Sequence, residues 1–246
     1  MILRTRFAKD IICEFLPPGR PSNKVIIFAM GMPSAPRMKE LLQFWAAQGY
    51  WVFLPRYRGS WESGGRFLKD SPEKDILDVL NALSKPFKDF WYSKTFIVKP
   101  QRIYIFGSSF GGPAAILASR DARVSKVVGI SPVVDWRVPL RAEPLGFLGL
   151  FIRLGFGLVY RFSMKDWNKL KAGKFYNPVN HLKELDPKKI FLIHAKDDES
   201  VSYKSVIAFS KKLGCKLKTY KRGGHLGISF TTRPTLAREI ERFLRN

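Results

Sequence analysis

The chain has 246 residues, 43 Lys and Arg against 20 Asp and Glu, a net charge of +23 and a hydrophobic share of 46%. That length buries a full core, that apolar share excludes extensive disorder, and no Gly/Ser/Pro-rich linker divides the chain, so one domain over residues 1–246 is expected. The positive excess favours anionic partners, nucleic acid or an acidic membrane surface, yet the basic residues are dispersed and no RNP, zinc-finger or Walker signature accompanies them, so such partners draw weak support.

Taken in order, residues 6–16 supply one or two antiparallel edge strands. Val25–Met30 reads as a buried strand, followed by a helix over 39–48 that stops at Gly49. Tyr50–Pro55 is the next strand. Pro72 opens a helix with Ile76, Leu77, Val79, Leu80 and Leu83 on a broad apolar face, and with Asp75 and Asp78 placed to face water. A strand at 102–106, a helix at 111–120 and a strand at 126–131 follow. Later come a strand at 189–195, a helix at 203–213, an alternating edge-type strand at 216–221 and a closing helix at 231–244. Short apolar runs alternating with helical periods predict a mostly parallel sheet with helices on both faces.

Between Trp136 and Pro187 that rhythm stops for about 50 residues, far longer than a usual connection. The segment at about 137–187 is therefore read as a helical cap or lid over a site, although its Phe and Leu side chains would also suit a dimer interface. Its apolar stretch Leu145–Phe162 contains Arg153, Arg161 and several glycines, which makes a poor membrane-spanning helix. Cys13 and Cys215 make no disulfide framework, and the amino terminus has no uninterrupted apolar signal region. The expected compartment is the cytoplasm, with both thiols reduced.

The densest signal is Gly107-Ser108-Ser109-Phe110-Gly111, which ends an apolar strand and enters a helix with Pro113 in its first turn. Such a strand-to-helix turn holds Ser109 exposed as a nucleophile, with glycines where the backbone folds back on itself. A serine hydroxyl needs a base, and the base needs a carboxylate to hold its tautomer. Of three histidines, His194 lies mid-strand and reads as a core residue, and His181 reads as a surface or cap residue. His225 follows Gly223-Gly224 in a loop after the last strand, where it can reach the serine. Asp197 and Asp198 both follow the strand ending at Ala195. The order Ser109, Asp198, His225 then supplies what the nucleophile lacks, each residue from a loop after a strand.

On these residues the chain resembles the α/β-hydrolase fold family over nearly its whole length. It is similar in particular to the dienelactone-hydrolase and prolyl-oligopeptidase-like branch, through Gly-Ser-Ser-Phe-Gly-Gly at 107–112, Tyr-Arg-Gly-Ser at 57–60 and Ile-His-Ala-Lys-Asp-Asp-Glu-Ser-Val at 193–201. The resemblance implies an α/β-hydrolase fold, a mostly parallel central sheet flanked by helices with a small helical cap insertion. It implies Asp198 as the acid, by an Asp-x-x-Val pattern that Asp198 and Val201 fit. It also implies an oxyanion hole from the backbone N–H groups of Phe110 and Met32, although Met30-Gly31 stands where the family often has His-Gly, and Ala195 where it often has glycine. Arg56 and Arg58 follow the adjacent strand and are read as a basic surface loop rather than as pocket lining. The implied activity is that of a serine hydrolase, needing no cofactor or metal, that cleaves carboxylic esters of small or medium acyl groups through an acyl-enzyme. Amide or peptide cleavage is the first alternative. A non-catalytic protein of this fold that binds RNA or acidic lipid is the second.

Overall fold

The computed structural model describes residues 1–35, 38–139 and 144–246. The chain begins with a hairpin, β1 (Leu3–Phe7) and β2 (Ile11–Leu16), then runs through β3 (Lys24–Ala29), α1 (Lys39–Ala47), β4 (Trp51–Pro55) and α2 (Glu73–Leu83). A two-stranded ribbon, β5 (Phe87–Lys88) and β6 (Thr95–Phe96), precedes β7 (Arg102–Ser108), α3 (Gly111–Ala118) and β8 (Val124–Ile130). After an insertion holding α4 (Leu145–Phe156) and α5 (Met164–Lys171) come β9 (Ile190–Ala195), α6 (Tyr203–Leu213), β10 (Lys216–Tyr220) and α7 (Pro234–Arg245).

Eight strands form one sheet in the order β1-β2-β4-β3-β7-β8-β9-β10. Within this sheet, among the described residues, β1 with β2 and β2 with β4 pair antiparallel and the other pairs are parallel. The inner strands are continuous apolar runs because both faces are covered, and Val25 to Ala29 are wholly shielded from water. One face packs under α1 and α7 through Leu41, Trp45, Leu236, Ile240 and Leu244. The other packs under α2, α3, α6 and the insertion. From β3 the chain steps outward to β4 and later returns on the other side as β7, so strand order reverses between β3 and β7. The crevice at the carboxyl ends of those two strands is where ligands bind in such sheets.

Two expectations fail at the loop after β4. Asp75 does not face water; it is 6% exposed, because Arg58 reaches back to it. Arg58 donates to Asp75 through its backbone N–H at 2.9 Å and through Nη1 at 2.6 Å, and Nη1 also meets Asp78 at 2.7 Å. Arg56 is no surface residue either. It is buried, with Nη2 2.9 Å from Glu14 Oε1 and Nη1 paired with Glu62. Cys13 and Cys215 are free and buried, on β2 and just ahead of β10, towards opposite edges of the sheet.

The insertion is tied to the loop after β4 by backbone hydrogen bonds from Trp61 to Val159 (2.8 Å), Phe67 to Arg161 (2.8 Å) and Arg161 to Gly59 (2.7 Å). Within it α4 rests on α5. Gly149 lies against the Trp167 indole, where a Cβ would overlap the ring, and Trp167 Nε1 donates to Leu145 O at 2.7 Å. Residues 140–143 of the expected cap lie outside the described residues. Among the described residues no helix is long and apolar enough to cross a membrane.

Candidate active site

β7 ends at Ser108, and the next residue makes the turn. Ser109 has φ +51°, the left-handed region that a non-glycine residue adopts only where surrounding structure enforces it. Its main chain is clamped: N–H donates to Ile130 O at 3.0 Å, and its carbonyl accepts from Gly112 N at 3.0 Å and Val133 N at 3.2 Å. Gly111 is required because a Cβ there would run into the carbonyls of Ala29 and Met30, where α3 crosses the end of β3. The Phe110 amide therefore stands at the start of α3, the electropositive end of that helix, one residue after Ser109. Its ring is buried against Tyr57, Trp136 and Tyr176, and Tyr176 Oη donates to Phe110 O at 2.6 Å.

His225 is positioned by the loops around it. Asp197 accepts from Gly223 N at 3.2 Å and Gly224 N at 3.0 Å, bracing the turn before the histidine. Leu226 N donates to Ser131 Oγ at 3.2 Å, fixing the residue after it. Asp198 faces the imidazole: His225 Nδ1 is 2.9 Å from Oδ2 and 3.1 Å from Oδ1. The Asp198 side chain is fully buried while that of His225 is 31% exposed, so one end of the ring meets a shielded carboxylate and the other is open.

Burial works against the charge on Asp198. Hydrogen bonds from His194, His225 and the Val201 backbone N–H outweigh it and hold the carboxyl well below the usual carboxylate range. Asp198 Oδ1 accepts from Ser200 N at 3.0 Å and Val201 N at 2.9 Å. His194, fully buried on β9, places Nε2 3.2 Å from Asp198 Oδ2 and 3.1 Å from Val201 O. Both neighbours are acceptors, so Nε2 carries the hydrogen, and among the described residues the buried Nδ1 has no partner.

Ser109 and His225 line one cavity of about 400 Å³ at the switch point. Its walls come from residues 30–35 after β3, with Met38, and from 225–229 after β10; Met30, Met32, Pro33, Leu226 and Ile228 make it largely apolar. Ser109, His225 and Met32 thus meet at one opening, with Asp198 behind the histidine and Phe110 beside the serine. The side-chain hydrogen bonds of His225 go to Asp198, and among the described residues none joins it to Ser109. His181 is elsewhere, with Nδ1 2.9 Å from Glu184 Oε1 and from Arg120 Nη1.

The segment expected to be a cap supplies none of the described lining of this cavity. It acts through Tyr160, whose Oη accepts from Ser34 N at 3.1 Å and so holds the 31–35 loop. Sequence reasoning passed over both Tyr160 and the contact of His194 with Asp198. The latter had a signal, a histidine four residues before an acid at the end of a buried strand. Among the described residues no group of three or more His, Cys, Asp or Glu side chains is arranged to hold a metal ion.

The model of the prolyl oligopeptidase family matches residues 36–246. Among solved structures the chain is similar to an esterase of Pyrococcus furiosus, at 20% identity and a TM-score of 0.69, covering 100% of this chain and 89% of that one. It is similar to the α/β hydrolase GrgF of Penicillium sp. sh18, at 18% identity and a TM-score of 0.71, covering 100% and 97%. It is also similar to an acylaminoacyl peptidase of Pyrococcus horikoshii, at 18% identity and a TM-score of 0.64, covering 99% of this chain and 40% of that one. No curated protein matches the sequence. At these identities the likeness establishes the fold, and it is the α/β-hydrolase fold that the resemblance implied.

Proposed function

The chain belongs to the prolyl oligopeptidase family, and from that premise we propose that it is a serine hydrolase cleaving carboxylic esters of small or medium acyl groups through an acyl-enzyme. The observation that carries this reading is the buried Asp198 bonded to His225, whose ring opens on the cavity that Ser109 lines. Ser109 Oγ attacks the ester carbonyl carbon as its proton passes to His225 Nε2, and the alkoxide leaves with that proton as the alcohol. Water, deprotonated by the same nitrogen, then attacks the acyl-enzyme and releases the carboxylic acid and Ser109. Asp198 holds the Nδ1–H tautomer and stabilises the imidazolium formed in each half-reaction. The backbone N–H groups of Phe110 and Met32 receive the developing oxyanion.

Methionine, leucine and isoleucine around the cavity suit an apolar acyl group. Amide or peptide cleavage is the second reading, favoured by the family itself and by the likeness to an acylaminoacyl peptidase. Fluorophosphonate labelling followed by p-nitrophenyl esters of graded chain length and aminoacyl anilides tests both. Labelling abolished by Ser109→Ala, with esters turned over faster than anilides, is the expected result. Faster turnover of anilides would replace the ester reading, and no labelling of folded protein would overturn the serine mechanism.

A further inference from the structure

We propose that α4 docks this protein onto an anionic lipid surface through an apolar stripe that the fold leaves uncovered. The helix is apolar on two opposite sides. Leu148, Gly149 and Ile152 are buried against the body of the insertion. On the outer side Phe147, Leu150, Phe151 and Leu154 recur at i, i+3, i+4 and i+7, and the 3₁₀ turn that follows the break at Gly157 adds a further exposed leucine, Leu158. Their exposures are 65, 51, 46, 77 and 84% respectively. The rings of Phe147 and Phe151 stack on each other with centroids 6.3 Å apart, so they associate within the stripe. A surface helix ordinarily turns polar residues outward. A contiguous apolar patch marks an interaction site.

Charge decides what the patch meets. Residues 137–175 carry eight Lys or Arg against two acids. One of those acids, Asp166, is buried and paired with Arg66 and Lys169, both at 2.8 Å. Arg153 on α4 and Lys165 at the start of α5, which packs against α4, are exposed. A second copy would bring the same basic rim and another +23 chain face to face, which repulsion opposes. A nucleic acid would meet the cations but leave the stripe in water. An anionic bilayer satisfies both parts, apolar side chains entering the acyl boundary while the cations lie among the head groups.

The full-length chain is to be cosedimented with vesicles of equimolar phosphatidylglycerol and phosphatidylcholine, and with vesicles of phosphatidylcholine alone. The same is done with a Leu154→Gln/Leu158→Gln double variant, which keeps the net charge, whose altered positions face water and whose melting temperature should match the wild type. Wild-type protein should bind the anionic vesicles at least about tenfold more tightly than the variant, and more tightly than it binds the neutral ones. Equal binding by wild type and variant would reduce the effect to diffuse charge and overturn the proposal. So would equal binding to both vesicles, or a solution dimer that the double variant abolishes. Binding is read directly, so the outcome is independent of whether esters are the substrate.

Discussion

His194 Nε2 lies 3.2 Å from Asp198 Oδ2, the same oxygen that stands 2.9 Å from His225 Nδ1. One histidine is sealed in the sheet and the other opens on the cavity, so the carboxylate is held between a buried partner and an accessible one. In the proposed mechanism His194 would touch no reacting atom and would act by positioning Asp198. Replacing it with Phe removes the hydrogen bonds to Asp198 and to Val201 O while keeping the ring. The bond to the Asp198 carboxylate is worth about 1.5–3 kcal/mol and the one to the neutral Val201 carbonyl about 0.5–1.5 kcal/mol. His194→Phe should lower kcat about tenfold with KM nearly unchanged, while fluorophosphonate still labels Ser109. A rise in KM at constant kcat would mean that the residue shapes the pocket instead.

The neighbouring acids differ in what they hold. Asp198 faces the imidazole, whereas Asp197 accepts two backbone N–H groups of the turn that carries it. Asp198→Asn should lower kcat by about 10³ to 10⁴, because the amide cannot enforce the tautomer. Asp197→Asn keeps an acceptor for Gly223 and Gly224 and should cost no more than severalfold. Steady-state hydrolysis of a p-nitrophenyl ester by both variants measures the contrast, and the reverse ranking would reassign the acid.

How legible these parts were depends on whether they are encoded locally. The strands around Val25, Ile103 and Ile190 and the Ser109 elbow are written in contiguous residues, as apolar runs and a glycine spacing; the mostly parallel sheet with helices on both faces followed from them, and the α/β-hydrolase fold from the family resemblance that the elbow and its partner residues carry. Asp75 was misread because helical periodicity shows which face is apolar, but not that Arg58, 17 residues earlier, will fold back onto the other face. Arg56 was misread for the same reason. Its partner Glu14 comes from β2, 42 residues away in sequence. Tyr160 was invisible because its bond to Ser34 spans 126 residues, and nothing near either residue announces it.

That bond couples the insertion to the loop at the carboxyl end of β3. The Tyr160 phenol is buried, which pushes its ionisation upward, so it stays neutral and accepts from Ser34 N. Tyr160→Phe leaves that amide without its acceptor, at a cost of about 1–3 kcal/mol if water does not replace it. The 31–35 loop, which carries the proposed Met32 donor, should then loosen. The expected result is a kcat reduced about three- to tenfold, with Ser109 labelling retained and Tm lowered by a few degrees. Unchanged kcat with lowered Tm would make the contact purely structural.

Asp75 gives a prediction whose sign follows from its burial. Removal from water raises its carboxyl to about 6, against the opposing pull of Arg58, while the unfolded value is about 3.9. A raised folded value means that the native state binds a proton which the unfolded state has already released. The stabilisation is therefore complete below about pH 3.9 and is lost as pH rises through about 6. Asp75→Asn keeps an acceptor for the Arg58 backbone N–H but cannot ionise. Relative to that variant, the wild type should lose about 2–3 kcal/mol between about pH 4 and pH 7, as 1.4 kcal/mol per unit over about two units requires. Urea unfolding of both proteins at the two pH values checks it. A wild type that instead gains stability over the variant as pH rises would mean that pairing with Arg58 outweighs burial, with the folded carboxyl ionising below its unfolded value.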